Sequence, residues 1–159
     1  MTIMSRRITV FVLLTAISLF ADTVALANDT EPSLEQKIAH AETAPLGERP
    51  ALYIHIARQQ AEAADKFYQA GNAEAGNTAL NDAVTYAGKA SDAAASSGKK
   101  LKDTEISLRK MSEKFRDVKH NLPFEDQAPV QQAIDRLEKM RTDLLNAMFG
   151  KKEKGKEKK

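Results

Sequence analysis

Three histidines, His40, His55 and His120, are the natural starting point in a search of this 159-residue chain for chemistry. Asp117 and His120 stand three residues apart, a spacing that sets two metal ligands on one face of a helix. Carboxylate-bridged dimetal bundles need two such pairs and two further inward glutamates, and here the pair stands alone. His120 instead closes a helical stretch, where a histidine is favourably placed against the negative end of the helix dipole. The chain has no cysteine, which excludes disulfides, thiolate metal sites and covalently attached haem. It also lacks a Gly-x-Ser-x-Gly turn, a phosphate-cradling glycine loop and a His-Glu-x-x-His pair. Glu125 and Asp126 sit where a helix start favours acid. Tyr53, Tyr68 and Tyr86 suit a helix seam with their hydroxyls in water, or the rim of an interface.

A non-covalent haem site in an exported bundle would need a methionine on the first helix and a histidine near the end of the last. The first helical segment has no methionine and no histidine follows residue 120; Met111, Met140 and Met148 fall on apolar stripes as core filling. The expectation is therefore no enzyme, no cofactor and no metal, with a haem or metal carrier the least supported class. The remaining polar feature is the C-terminus. Lys151, Lys152, Lys154, Lys156, Lys158 and Lys159, with two glutamates, give it a net charge of +4, while the body between residues 28 and 150 carries −3. Such a run buries no apolar area, so residues 150–159 are expected to be disordered, as a solubilising end or as a contact for an anionic envelope surface. With neither arginine nor aromatic residues in this tail, nucleic acid is not an expected partner.

The elements that must position these residues begin after an export signal. Arg6 and Arg7 precede an unbroken weakly polar to apolar run, Ile8 to Phe20, and Ala25-Leu26-Ala27 is a small-x-small cleavage pattern, so residues 1–27 read as a cleaved secretory signal and the mature chain as periplasmic or secreted. That run would span only about 20 Å as a helix, short of the roughly 30 Å of a bilayer core, so no transmembrane anchor is expected. Ser5-Arg6-Arg7 touches on a twin-arginine signal, but Thr9 and Val10 depart from it. No cysteine follows to carry a lipid.

Residues 28–49 are expected to form a mobile polar arm broken by Pro32, Pro45 and Gly47, with one short helix foreshadowed by the capping-box spacing of Ser33 and Gln36. Residues 50–149 are expected to be an all-helical domain. A first helix covers about 50–70, with Pro50 tolerated in its first turn. Gly71-Asn72 then marks a tight turn. Ala64, Phe67, Gly71, Gly76, Leu80 and Ala83 resemble the middle of one tetratricopeptide repeat, standing near its small, aromatic, turn, small, large and small positions. The resemblance implies a helical hairpin; arrays of this repeat bind peptides in a concave groove that a single copy does not form.

From Ala73 to Leu122 an apolar or small residue recurs at alternating spacings of three and four, including Leu80, Ala83, Ala87, Ala90, Ala94, Leu101, Leu108, Met111, Phe115 and Val118. This seven-residue phase passes through Ser97-Gly98 without slipping. Two arrangements fit it. Gly98 is either interior to one long helix over about 73–121, flanked by helices 50–70 and 126–149, or it ends a helix in a compact four-helix bundle. Lys99, Lys100 and Lys102 would oppose the start of a new helix, which favours the long one. An elongated arrangement only two helices thick would leave apolar surface on view and call for a homodimer or another helical protein along the seam. The functional expectation is an exported, non-catalytic helical protein acting as a self-associating scaffold or protein-binding module of the cell envelope. The alternative is a peripheral protein docked on anionic surfaces through its lysine tail.

Overall fold

The computed structural model describes residues 32–153, with side chains as far as Gly150. Residues 1–31, which include the segment read above as an export signal, and residues 154–159 lie outside the described residues. The chain is an all-α bundle: α1 (Leu34–Thr43), α2 (Arg49–Gln69), α3 (Ala73–Ser97), α4 (Leu101–Asn121), a single 3-10 turn (Phe124–Asp126) and α5 (Gln127–Glu153). Among the described residues there is no helix long and apolar enough to cross a membrane.

Each boundary has a local cause. The capping box foreseen at Ser33 is formed: its hydroxyl accepts from the Gln36 amide, and the Gln36 side chain accepts from the Ser33 amide. At the end of α2 the Asn72 amide reaches the Phe67 carbonyl and the Gly71 amide the Tyr68 carbonyl, with Gly71 at φ +73°. This left-handed glycine closure reverses the chain, and Asn72 at once caps α3 by accepting from the Ala75 amide. Pro123 ends α4, whose last residue is Asn121.

The single long helix over 73–121 is not what the chain forms. Gly98 takes φ +66° and Lys100 φ +61°, both left-handed, so α3 and α4 are separate helices and the chain adopts the compact alternative with its break at Gly98. The Lys99 amide is satisfied by the Ser97 hydroxyl, and α4 starts without a side-chain cap, its first-turn Asp103 drawing Lys100 to 3.4 Å. That acid offsets the cluster of lysines at the helix start. The unbroken seven-residue phase is real but does not require continuity. A three-residue link reverses the chain while both helices keep their stripes on the same core.

Two antiparallel hairpins, α2–α3 and α4–α5, pack face to face, with α3 against α5 and α2 against α4. The α2–α3 contact is the most extensive. It is made by Ala57, Ala61 and Ala64 opposite Gly76, Leu80, Ala83 and Ala87, all buried and, Leu80 apart, small enough to allow close approach. Gly76 is required there, because a Cβ would lie 2.8 Å from the Tyr68 ring. Leu108, Phe115, Val130, Leu137 and Leu144 fill the wider α4–α5 side. Within the α4–α5 hairpin the helices are also tied by charge: Glu138 accepts from the fully buried Ser112 hydroxyl at 2.6 Å and from Arg116 at 2.8 Å, and Arg141 bridges Glu138 to Glu105. The Ser112 hydrogen bond, followed by the two guanidinium groups, holds the Glu138 carboxyl below its ordinary pKa.

The helix of the 28–49 arm is docked. Ala41 is fully buried, Lys37 bonds Gln59 at 2.9 Å, and Glu42 pairs at 3.0 Å with Lys89. The Lys89 ammonium lies 5.6 Å from the Tyr53 ring centre and 5.4 Å from that of Tyr86, two rings stacked 6.3 Å apart. At the other end, α5 runs through Gly150 to Glu153 as helix, so the disorder expected from residue 150 onward does not begin there.

Candidate binding groove

The seam residues singled out from the sequence are used inside the chain. Leu80, Ala83, Ala87, Ala90, Ala94, Leu108, Met111, Phe115 and Val118 are buried in one core, and Leu101 packs at its edge. They join α2, α3, α4 and α5 to one another and offer no strip to a second molecule. Lys151 and Lys152 fall in the last turn of α5, while Lys154, Lys156, Lys158 and Lys159 lie outside the described residues. Asp117 and His120 are both exposed on α4, and no group of three potential metal ligands converges among the described residues.

A different arrangement emerges where α2 meets α4. These helices run in the same direction, as shown by Asp65–Lys114 near their C-terminal ends and by Pro50 and Lys100 sharing a cavity near their starts. They touch far less than the partners within each hairpin. A groove is left between them, made of two adjoining hollows of about 280 Å³ and about 140 Å³ that share Arg58 and Ser107. Ile54, Ala61 and Met111 give it an apolar floor.

Cations edge this floor. Lys100 is paired with Asp103, and Lys114 with Asp65 at 2.8 Å. Burial alone would raise the Asp65 carboxyl, but the hydrogen bonds from Lys114 and Gln69 outweigh it and hold the carboxyl below its ordinary pKa. Between these pairs, Arg58 from α2 and Lys110 from α4 have no hydrogen-bond or ion-pair partner among the described residues. The Ser107 hydroxyl donates to the Asp103 carbonyl at 2.8 Å and keeps its lone pairs for another donor. His55 lines the upper hollow and Glu62 the lower. A guanidinium and an ammonium lining one hollow over an apolar floor are equipped to hold a carboxylate-bearing chain whose other side chains are apolar.

Two other hollows are differently furnished. The larger, about 510 Å³ between α4 and α5, already has its charges satisfied internally, through Arg116–Glu138 and Lys119–Gln131. The other, about 420 Å³ on the outer side of α2 and α3, holds Phe67, Ala75 and Ala79 with acid from Glu74 and Asp82. Phe67 also shows how far the tetratricopeptide likeness goes. The hairpin forms, but Phe67 is 40% exposed and the adjacent Tyr68, 7% exposed, is the ring that packs on Gly76. The chain matches no protein-family model, no curated protein and no solved structure.

Arg58, Ser107 and Lys110 were not singled out from the sequence. Their signal is weak because each sits at the edge of an apolar stripe, where a charged residue ordinarily meets solvent. Only the pairing of α2 with α4 makes them neighbours.

Proposed function

We propose that this chain is an exported, non-catalytic binding module of the cell envelope that engages an acidic segment of a protein partner through the groove between α2 and α4. The observation that carries the reading is the pair of unpartnered cations, Arg58 and Lys110, above the apolar floor of Ile54, Ala61 and Met111. The setting supports it: the body from residue 28 to 150 has a net charge of −3, so a cationic channel stands out against its surroundings. Export rests on the twin arginines, apolar run and small-x-small pattern of residues 1–27. The alanine seam is enclosed within one chain, so this reading does not rest on self-association along it.

Charge reversal provides the test. The chain from residue 28 onward, immobilised and exposed to envelope extract of its source, retains a partner that the double variant Arg58→Glu, Lys110→Glu releases. Asp92→Lys, on the exposed side of α3, leaves retention intact. Equal retention by both variants removes the groove from the function.

A further inference from the structure

Among the described residues four large apolar side chains are exposed: Leu46, Phe67, Phe124 and Phe149. Phe149 is set apart by its position. Arg141 on α5 reaches Glu105 on α4, so in this antiparallel pair Leu145 lies level with Leu101, where α4 begins. Residues 146–153 carry α5 about 12 Å past that point. Leu144 is the last fully buried residue of the helix. Beyond it Leu145 and Met148 are half-buried and Phe149 is 58% exposed, with Leu145, Met148 and Phe149 three or four residues apart on one side of the helix. Immediately after Gly150 come six lysines in nine residues.

An aromatic ring at a projecting helix end, followed at once by a polybasic run, combines the two contributions that hold peripheral proteins to lipid. We infer that the end of α5 docks on an anionic lipid surface, with Phe149 entering the headgroup and acyl boundary and the net positive charge of the run after Gly150 adding electrostatic attraction. The remainder of the molecule favours this one orientation, because its net charge of −3 is repelled by the same surface. Only the charge of residues 151–159 enters this inference. It shares no residue with the α2–α4 groove and does not rest on it.

The chain has no tryptophan, so F149W introduces a single emission reporter at an already exposed position. Mixed with vesicles of phosphatidylcholine and phosphatidylglycerol, F149W shifts its emission to the blue and is quenched by brominated acyl chains; with phosphatidylcholine alone it does neither. A chain ending at Gly150 binds the anionic vesicles about tenfold more weakly or less, and raising salt from about 0.15 M to about 0.5 M releases the full-length form. F124W, at the opposite end of the bundle and 88% exposed, stays unshifted throughout. The inference is overturned by binding with no shift in F149W, by equal binding to neutral vesicles, or by binding that survives removal of the lysines.

Discussion

Two glycines of α3 face opposite consequences if enlarged. A Cβ at Gly76 would stand 2.8 Å from two atoms of the Tyr68 ring, which is buried and anchored by its hydroxyl to Asn77 at 2.7 Å. A Cβ at Gly88 would meet only the Met140 methyl at 3.4 Å, the free end of a flexible side chain. Overpacking against a fixed ring outweighs the gain in helix propensity, so Gly76→Ala lowers stability by about 1–2 kcal/mol. Gly88→Ala raises it by about 0.5–1 kcal/mol, both read from urea unfolding. Tyr68 itself has a distinct signature. Burial, and secondarily the Asp126 carboxylate, push its phenol up to about 12 from 10.0. Because the folded state holds this proton more tightly, its contribution is fully present below pH 10 and is lost as pH rises towards about 12. Burial raises the Tyr86 phenol as well, so the test is specific: absorbance titration of the phenolate shows a component ionising towards about 12 that Tyr68→Phe removes.

At the scale of elements, the turns at Gly71-Asn72 and Pro123 and the cap at Ser33 were all legible, because each is written in residues adjacent in sequence. The break at Gly98 was legible only as one of two alternatives. A lysine-rich start argued against a new helix, but Asp103 in the first turn compensates it, and a seven-residue phase records only which side of each helix is buried. Continuity of phase and continuity of helix are different properties. Gly98→Ala separates them by sign. In a continuous helix the change is stabilising by about 1 kcal/mol, whereas at φ +66° it costs about 1 kcal/mol or more. Thermal unfolding of the variant is expected to show the loss.

Taken as a whole, the molecule spends its small-residue seam on packing its own hairpins and keeps its unpartnered cations on the outside. Helical class and core membership could be read from periodicity, since burial of a stripe is a property of one helix. The groove could not, because it depends on which helices become neighbours, and two hairpins can stack in more than one way. The same stacking explains why the thin dimer foreseen for an elongated hairpin is unnecessary: four helices enclose Leu80, Leu108, Phe115 and Leu137 within one chain. Function then rests on whether the α2–α4 channel takes an acidic segment. An amide NMR titration of the chain from residue 28 onward with a peptide alternating glutamate and leucine addresses this directly. Saturable shifts centred on Ile54, Arg58, Ser107 and Lys110, abolished by Arg58→Glu with Lys110→Glu, are the expected result; shifts centred elsewhere, or unaffected by that double change, contradict it.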